Sequence, residues 1–255
     1  MSSTSYISSE DFVPPRRDWG KAARHLFNVV RDTSQSGEVA NMVTSIEGPS
    51  LEACFQRFRN DPDGRRILEQ RPSLLNTLKD RSRLEALPAD TLGNRYARYM
   101  REERLDADAL VSAMSNAGFD EERAFFRDRI RDSHDLWHAI TGYGADQLGE
   151  GVLLMFSHAQ IRSPGIVLLA GLSMALVPLV LPNDRAAYPE HALRAWIRGY
   201  RAKWLPAQPF EEMLDWPIED VWRELNIMPT EEAHPGGFPQ FNMGDRRMLR
   251  TYCAF

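Results

Sequence analysis

Residues 134–150, with the sequence HDLWHAITGYGADQLGE, decide how this chain folds. His134 and His138 are four residues apart, so on a helix both imidazoles lie on one face, one turn from each other. Gly142 ends that helix, and Glu150 follows on a second helix that turns back along the first. Two imidazoles and a carboxylate that face one another from antiparallel helices are suitable ligands for a divalent metal ion.

The histidine pair has a second interpretation, in which both rings are core residues hydrogen-bonded to Asp135 and Glu150 without a metal. The spacing alone leaves both interpretations open. Asp135 lies about 100° around the helix from His134, from where it either reaches the metal or orients a ligand histidine. Zinc proteases carry a glutamate general base at the position of Asp135. Because aspartate is shorter, we treat protease activity as a minor alternative.

Helical spacing of apolar residues extends over most of the chain. We predict helices at residues 19–31, 39–46, 50–59, 65–70, 74–78, 87–100, 106–117, 121–140, 146–161, 190–204 and 218–225, with a turn at residues 61–64. No alternating strand of useful length and no internal repeat is found, so the predicted fold is all-α. We expect one compact multi-helix domain at residues 18–229, a flexible leader at residues 1–17 and an irregular tail at residues 230–255.

Residues 163–183 form a run without any charged side chain. Their length meets the rough criterion of about 18 apolar residues for a transmembrane helix. The segment nevertheless contains three prolines, and its strongest apolar part is only residues 166–181. The favoured interpretation is a helix buried on all sides within a helical protein. A segment that dips into a membrane or lines a lipid channel is the alternative.

Composition excludes some functional classes. With 43% hydrophobic residues in 255, the chain can bury a core without disulfides. The net charge of −5 argues against nucleic acid, whose phosphates require a basic surface. Cys54 and Cys253 form no motif and are expected to be free thiols in a reducing compartment. The N-terminal residues lack the pattern of a secretory signal, so we expect a cytoplasmic protein.

Several motifs resemble one known family. His134-Asp135-x-x-His138 followed by Glu150 is the signature of the coenzyme Q (ubiquinone) biosynthesis protein 4 family. Residues 87–96 (LPADTLGNRY) are similar to its Leu-Pro-x-x-(Ser/Thr)-(Leu/Phe)-Gly-x-x-Tyr segment. Residues 58–66 (FRNDPDGRR) resemble its early Asp-Pro-x-Gly-x-Arg turn, and residues 218–227 resemble its closing helix.

The resemblance implies an all-α fold in which His134, Asp135, His138 and Glu150 form the metal and catalytic site. Zinc is the expected ion, with Fe²⁺ or Mn²⁺ as alternatives. The implied function is in ubiquinone or prenylquinone biosynthesis: binding a polyprenylated aromatic precursor and replacing its ring carboxyl by hydroxyl. The alternative is a carrier or scaffold without catalysis. No Gly-rich loop of the flavin- or nicotinamide-binding kind is found in the sequence.

The resemblance also implies an apolar channel that binds a polyprenyl lipid, with the apolar segment at residues 166–181 as part of its lining. The residues expected to line this apolar channel are Leu153, Leu154, Ile166, Leu169, Leu172 and Leu176. Further expected partners are other quinone-biosynthesis proteins and the inner face of a membrane, contacted peripherally. The apolar helical surface is also compatible with a homodimer.

Overall fold

The computed structural model describes residues 6–31, 36–107, 116, 118–180 and 188–238. The helices within these ranges are α1 (Trp19–Arg31), α2 (Ser36–Asn60), α3 (Pro62–Gln70), α4 (Leu74–Lys79), α5 (Arg81–Ala86), α6 (Leu92–Glu103), α7 (Glu121–Asp132), α8 (His134–Thr141), α9 (Gln147–Ile161), α10 (Pro164–Val180), α11 (Tyr188–Arg201), α12 (Phe210–Met213), α13 (Ile218–Leu225) and α14 (Thr230–Ala233). A 3₁₀ turn, Leu205–Ala207, precedes α12. The described residues contain no β-strand, only an isolated bridge between Thr91 and Pro217. The prediction of a single all-α domain is confirmed.

Capping residues set the starts of several helices. Asp61 accepts hydrogen bonds from the backbone of Asp63 and Gly64 at 3.0 and 3.1 Å, so α3 begins at Pro62. The turn predicted at residues 61–64 is therefore the capped first turn of a helix. Thr91 caps α6 in the same way. That helix begins at Leu92 and runs to Glu103, whereas the sequence pattern predicted it at residues 87–100.

The two helices predicted at residues 39–46 and 50–59 form one helix, α2, with Pro49 inside it. A proline has no N–H to donate to the carbonyl four residues earlier, which here belongs to Ser45. The backbone N–H of Asp18 donates to that carbonyl instead, at 2.8 Å. A Cβ on Gly48 would lie 1.9 Å from the carbonyl oxygen of Pro15. The prediction of a break was wrong because the N-terminal segment satisfies the free carbonyl.

The helix predicted at residues 121–140 is divided at Ser133 into α7 and α8. The Ser133 hydroxyl donates to the carbonyl of Ile130 at 3.0 Å. In an uninterrupted helix that carbonyl accepts the N–H of His134. A serine that competes for a backbone acceptor in this way weakens the helix locally. The break falls directly before the first candidate ligand.

Two buried residues on the back of α8 direct its histidines towards α9. Leu136 and Ile140 are fully buried and belong to the main hydrophobic cluster, where α8 packs against α6 and α13. They lie about 200° around the helix from the two histidines. Burying this face therefore turns His134 and His138 towards α9, which also packs against α10 and α11.

The apolar helix α10 is not buried on all sides. Leu169 and Ala170 are buried against α1 and α2, but Val167 is 42% exposed. The interpretation of a fully buried helix was therefore wrong for the part whose side chains are described. Within the described ranges, no helix combines the length and apolarity needed to cross a membrane.

Other differences concern element ends. The helix predicted at residues 190–204 is α11, which ends at Arg201, and the one predicted at residues 106–117 falls mainly outside the described residues. Residue Phe12 of the expected leader packs on Phe119 with ring centroids 5.5 Å apart. The expected irregular tail begins with the short helix α14, and its residues from 239 onward lie outside the described part.

Cys54 is a free thiol, and its Sγ donates to the carbonyl of Ile161 at 3.1 Å. Burial raises the pKa of Cys54 to about 11. The thiolate that reacts with oxidants or metals is therefore scarce near neutral pH. Cys253 lies outside the described residues.

Candidate metal centre

Three predicted ligands meet between α8 and α9. One ligand atom from each of His134, His138 and Glu150 lies within 4.8 Å of the other two. His138 Nε2 is 3.2 Å from Glu150 Oε1, and His134 Nε2 is 3.8 Å from Glu150 Oε2. The two imidazole rings are nearly perpendicular, with centroids 4.9 Å apart. The spacing predicted from the sequence is thus realised in three dimensions.

Local sequence explains how Glu150 reaches the histidines. Gly142 ends α8 with a φ of 77°, a left-handed conformation that side chains disfavour. Four residues later, Asp146 accepts hydrogen bonds from the backbone of Leu148 and Gly149 at 3.0 and 3.1 Å. This cap starts α9, so Glu150 lies in its first turn and faces back towards α8.

The Nδ1 atom of each histidine contacts a hydrogen-bond acceptor outside the group of converging ligand atoms. His138 Nδ1 lies 2.9 Å from the carbonyl oxygen of Tyr143, and His134 Nδ1 lies 3.1 Å from Asp135 Oδ1. A carbonyl and a carboxylate only accept, so both Nδ1 atoms carry hydrogen. In the neutral rings Nε2 therefore carries a lone pair directed at the centre. Such outer hydrogen bonds fix the ring orientation of metal-binding histidines.

The donor set fits a divalent ion. His138 Nε2 is buried, and the Glu150 carboxylate is the group that faces it, at 3.2 Å. Two imidazole lone pairs and a carboxylate that converge in this way repel one another, and a cation between them removes the repulsion. Zn²⁺, Fe²⁺ and Mn²⁺ all accept nitrogen and carboxylate ligands. The donor atoms alone do not select among the three ions.

The shift in the pKa of His138 also indicates a site that favours positive charge. Burial acts to lower the pKa of this imidazole. The charge and close contact of the Glu150 carboxylate, the charge of Asp135 and the Tyr143 carbonyl act to raise the pKa, and together they outweigh the effect of burial. The net result is a raised pKa for His138. The centre therefore attracts positive charge, which a proton or a metal ion can supply.

Asp135 occupies a different position from the other three residues. It is not part of the group of converging ligand atoms, and its carboxylate contacts His134 Nδ1. Of the two roles open to Asp135 from its sequence position, this contact supports that of orienting a ligand histidine. Direct coordination by Asp135 remains a prediction of the family resemblance.

Two tyrosines beside the centre were not singled out from the sequence. Tyr99 of α6 stacks on the His138 ring at 5.2 Å between centroids, with 15° between the planes. Tyr143 supplies the carbonyl that orients His138. The sequence carried no specific signal for either role, because a core tyrosine and a turn tyrosine have many structural uses.

An apolar cavity opens beside His134. Its volume is about 130 Å³, which is of the order that accommodates a benzene-sized group. Residues from α2, α7, α8, α9 and α10 line it, namely Val43, Thr44, Glu47, Leu51, Arg127, Ile130, Arg131, His134, Trp137, Leu154, Ser157, Ile161 and Ile166. The wall from α2 was not predicted, since nothing in the sequence indicates that this distant helix packs beside the histidines.

The predicted lipid-contacting residues lie in different environments. Leu154 and Ile166 line the cavity. Leu153 is buried in the main core, and Leu169 is buried against α1 and α2. Leu172 is partly buried, and the side chain of Leu176 lies outside the described part of the structure. The structure therefore brings two of the six residues to the cavity beside His134.

The cavity has a polar edge at Glu47. The Ser163 hydroxyl donates to Glu47 Oε1 at 2.5 Å. Burial raises the pKa of Glu47, and the contacts with Ser163 and Arg127 oppose the shift without cancelling it. An acid of raised pKa at the edge of an apolar cavity can donate a hydrogen bond to a polar substituent of a bound ligand.

Comparison with known proteins identifies the family. Residues 19–231 match the family described as coenzyme Q (ubiquinone) biosynthesis protein Coq4. The chain belongs to this family. Similar curated proteins include the ubiquinone biosynthesis protein COQ4 homologue of Danio rerio, 35% identical over 67% of this chain, and the coq4 protein of Botryotinia fuckeliana, 34% identical over 66%. The rat homologue is 29% identical over 85% of this chain.

The matches cover 62% of the Danio protein, 58% of the Botryotinia protein and 79% of the rat protein. All three names include the word mitochondrial, whereas the sequence led us to expect a cytoplasmic protein. A crystal structure of a Nostoc punctiforme protein, named for ubiquinone biosynthesis, has the same fold with a TM-score of 0.65 at 19% identity. The match covers 82% of this chain and 98% of the Nostoc chain. The family and all of these relatives are named for ubiquinone biosynthesis.

Proposed function

We propose that this chain is a metal-dependent enzyme that binds a polyprenylated aromatic acid and replaces its ring carboxyl by hydroxyl. The observation that carries the proposal is the position of His134. This residue belongs to the group of candidate ligands and also lines an apolar cavity of benzene-sized volume. A ring in the cavity therefore lies next to the metal centre.

Each part of the site has a separate task in this proposal. His134, His138 and Glu150 hold a divalent ion, which when bound supplies Lewis-acid chemistry. Leu154, Ile166 and the α2 side chains exclude water around the ring, which strengthens polar interactions inside the cavity. Glu47 donates to a polar ring substituent.

The overall change has a definite balance. The bond between the ring and its carboxyl carbon breaks, carbon dioxide leaves, and a new bond from the ring carbon to oxygen forms. One oxygen atom must be added. We propose dioxygen as its source, with an external two-electron reductant that releases the second oxygen atom as water.

A carrier is the second candidate function, supported by the apolar cavity itself. In this alternative the metal holds the polar head of a prenylated precursor, and the chain presents it to other quinone-biosynthesis proteins. Both candidates include peripheral contact with the inner face of a membrane, where such lipids reside. A homodimer is compatible with either one. Cell fractionation would decide between a cytoplasmic and a mitochondrial location.

Metal analysis and native mass spectrometry of the purified protein test the metal site. We expect one equivalent of metal in the parent protein and none in His134→Ala. His158→Ala is the matched control, because His158 lies on α9 but hydrogen-bonds to the Ser163 carbonyl outside the ligand group. Equal metal content in both variants would contradict the assignment.

The cavity is tested by filling it. Ile166→Trp places a large side chain at the cavity wall, and Val167→Trp places the same side chain at the neighbouring exposed position. We expect copurifying prenyl lipid to be lost only in Ile166→Trp. Turnover of a prenylated hydroxybenzoate in the parent protein, and not in His134→Ala, distinguishes the enzyme from the carrier. Lipid retention without turnover supports the carrier.

A further inference from the structure

Arg198 of α11 is a buried cation with an incomplete set of partners. It is 4% exposed, and its Nη1 donates to the carbonyl of Thr141 at 2.8 Å. Its Nε and Nη2 are buried and make no hydrogen bond with any described residue, while the guanidinium as a whole lies against the Tyr143 side chain and acts on the pKa of that phenol. Its nearest aromatic neighbour is Tyr143, whose ring centroid lies 5.2 Å from the guanidinium carbon. Buried charges normally have a counter-ion.

The unpartnered atoms form one edge of the guanidinium. Nε and Nη2 donate in parallel, and this edge binds the two oxygens of a phosphate or carboxylate at once. Nη1 belongs to the other side and is already occupied. Arg198 therefore has two buried donors on this edge without a hydrogen-bond partner among the described residues.

Arg198 also forms part of a groove between α11 and the segment containing α13 and α14. The groove has a volume of about 920 Å³. Arg194 and Arg201 line it together with Arg198, each about one turn from the next on the same face of α11. Like charges at this spacing disfavour a helix, so a bound anion would stabilise this face.

The remaining groove residues define the class of ligand. Arg223 adds a fourth guanidinium, and Glu219 and Glu232 add two exposed carboxylates. Arg194 and Arg223 already pair with carboxylates on their own helices, which leaves Arg198 and Arg201 as the cations with spare capacity. Trp222 and Ile197 supply an apolar wall. The groove therefore suits an anion attached to an apolar group.

We propose that this groove binds a phosphate group, with Arg198 at its base and Arg201 at its mouth. The phosphate belongs either to a free phosphorylated compound or to a lipid headgroup. The site is separate from the metal centre, because none of the candidate ligands lines the groove. The inference does not depend on the proposed enzyme activity.

Titration calorimetry with inorganic diphosphate and sedimentation with vesicles test the proposal on the full chain. The vesicles contain phosphatidylcholine alone or with phosphatidic acid. Arg201→Gln removes an exposed groove cation, and Arg65→Gln is the control at an exposed arginine of α3 outside the groove. Arg198→Lys keeps the charge but removes the fork. His138→Ala checks that diphosphate does not bind at the metal centre.

We expect Arg201→Gln and Arg198→Lys to raise the Kd at least about tenfold, the effect of losing one charge-assisted hydrogen bond. Arg65→Gln and His138→Ala should bind like the parent. Binding of diphosphate identifies a free phosphorylated compound, and binding of phosphatidic acid vesicles alone identifies a headgroup. If Arg198→Lys does not fold, Arg201→Gln decides. Absence of both kinds of binding, or equal binding by Arg201→Gln and Arg65→Gln, overturns the proposal.

Discussion

At the scale of single residues, the candidate metal centre depends on which nitrogen of each histidine faces inward. The Tyr143 carbonyl and the Asp135 carboxylate occupy the two Nδ1 atoms. Both contacts come from residues within about one helical turn of the histidine concerned, so the local chain largely determines the ring orientation. Glu150 completes the group from the next helix.

Asp135→Asn and Glu150→Gln should have different effects on metal affinity. Glu150 is one of the three converging ligands, so its change to the neutral amide should abolish stoichiometric binding. Asp135 orients His134, and loss of such a contact typically weakens affinity about 10- to 100-fold. Competition with a chromophoric chelator measures both. A complete loss in Asp135→Asn would instead show that Asp135 is itself a ligand.

Gly151 next to Glu150 should not tolerate even a methyl group. A Cβ at this position would lie 1.8 Å from the Tyr188 hydroxyl, and overpacking of this kind costs about 1–3 kcal/mol. A Cβ at Gly171 on α10 would meet no described atom within 4 Å beyond its own helix backbone. Gly171→Ala should therefore stabilise by about 0.5–1 kcal/mol. Urea unfolding measures both, and Tyr188→Phe should partly rescue Gly151→Ala.

At the scale of elements, a buried ion pair between Arg129 and Glu211 connects α7 with α12. Arg129 is 3% exposed and contacts both carboxylate oxygens of Glu211, at 2.7 and 3.0 Å. The same guanidinium donates to the Gln208 carbonyl at 2.7 Å. This pair determines where the chain after α11 lies against the helix that leads into the metal centre.

Substitutions of two neighbouring glutamates, Glu211 and Glu212, test how much this ion pair contributes to the free energy of unfolding. Removing one partner of a buried pair leaves an uncompensated charge, so Glu211→Gln should lower the free energy of unfolding by about 3–5 kcal/mol. Glu212 pairs with Arg66 at an exposed position, where solvent screens the interaction, and Glu212→Gln should change stability little. Chemical denaturation measures both variants. Equal effects would show that the Arg129 pair is solvated.

At the scale of the whole molecule, residues after α13 return to the centre of the fold. His234 Nδ1 lies 2.9 Å from His191 Nδ1, and its Nε2 lies 3.0 Å from the Tyr143 hydroxyl. Tyr143 in turn orients His138 through its carbonyl. A chain of hydrogen bonds thus connects the C-terminal part of the described structure with the metal centre.

Stability should fall in mild acid because of His234. Burial, with the nearby charges of His191 and Arg198, lowers the pKa of His234 to about 4 from 6.5. Between these pH values the unfolded chain binds the proton and the folded chain does not. The free energy of unfolding therefore decreases as the pH falls from about 6.5 to 4, by at most about 1.4 kcal/mol per pH unit.

His234→Gln provides the comparison for this pH dependence. Glutamine keeps hydrogen-bonding capacity but does not titrate, so the variant should lose less stability than the parent as the solution is made mildly acidic. His25→Gln serves as a control at a histidine of α1 that bonds to Glu38. Urea unfolding at several pH values measures the slopes. Identical slopes for the parent and His234→Gln would assign the acid sensitivity to other groups.

The sequence by itself determined the helical class and the group of candidate metal ligands. His134 and His138 share a helix face, Gly142 ends that helix, and Asp146 starts the next one, all through contacts within a few residues. Such local contacts follow from backbone geometry, so spacing alone predicts them.

Only the tertiary structure decided the surroundings of that group. The α2 wall of the cavity, the continuation of α2 through Pro49 and the partners of His234 all join residues far apart in sequence. The same holds for the groove around Arg198. These features depend on how whole helices pack, and helix periodicity shows which face is buried but not which distant helix covers it.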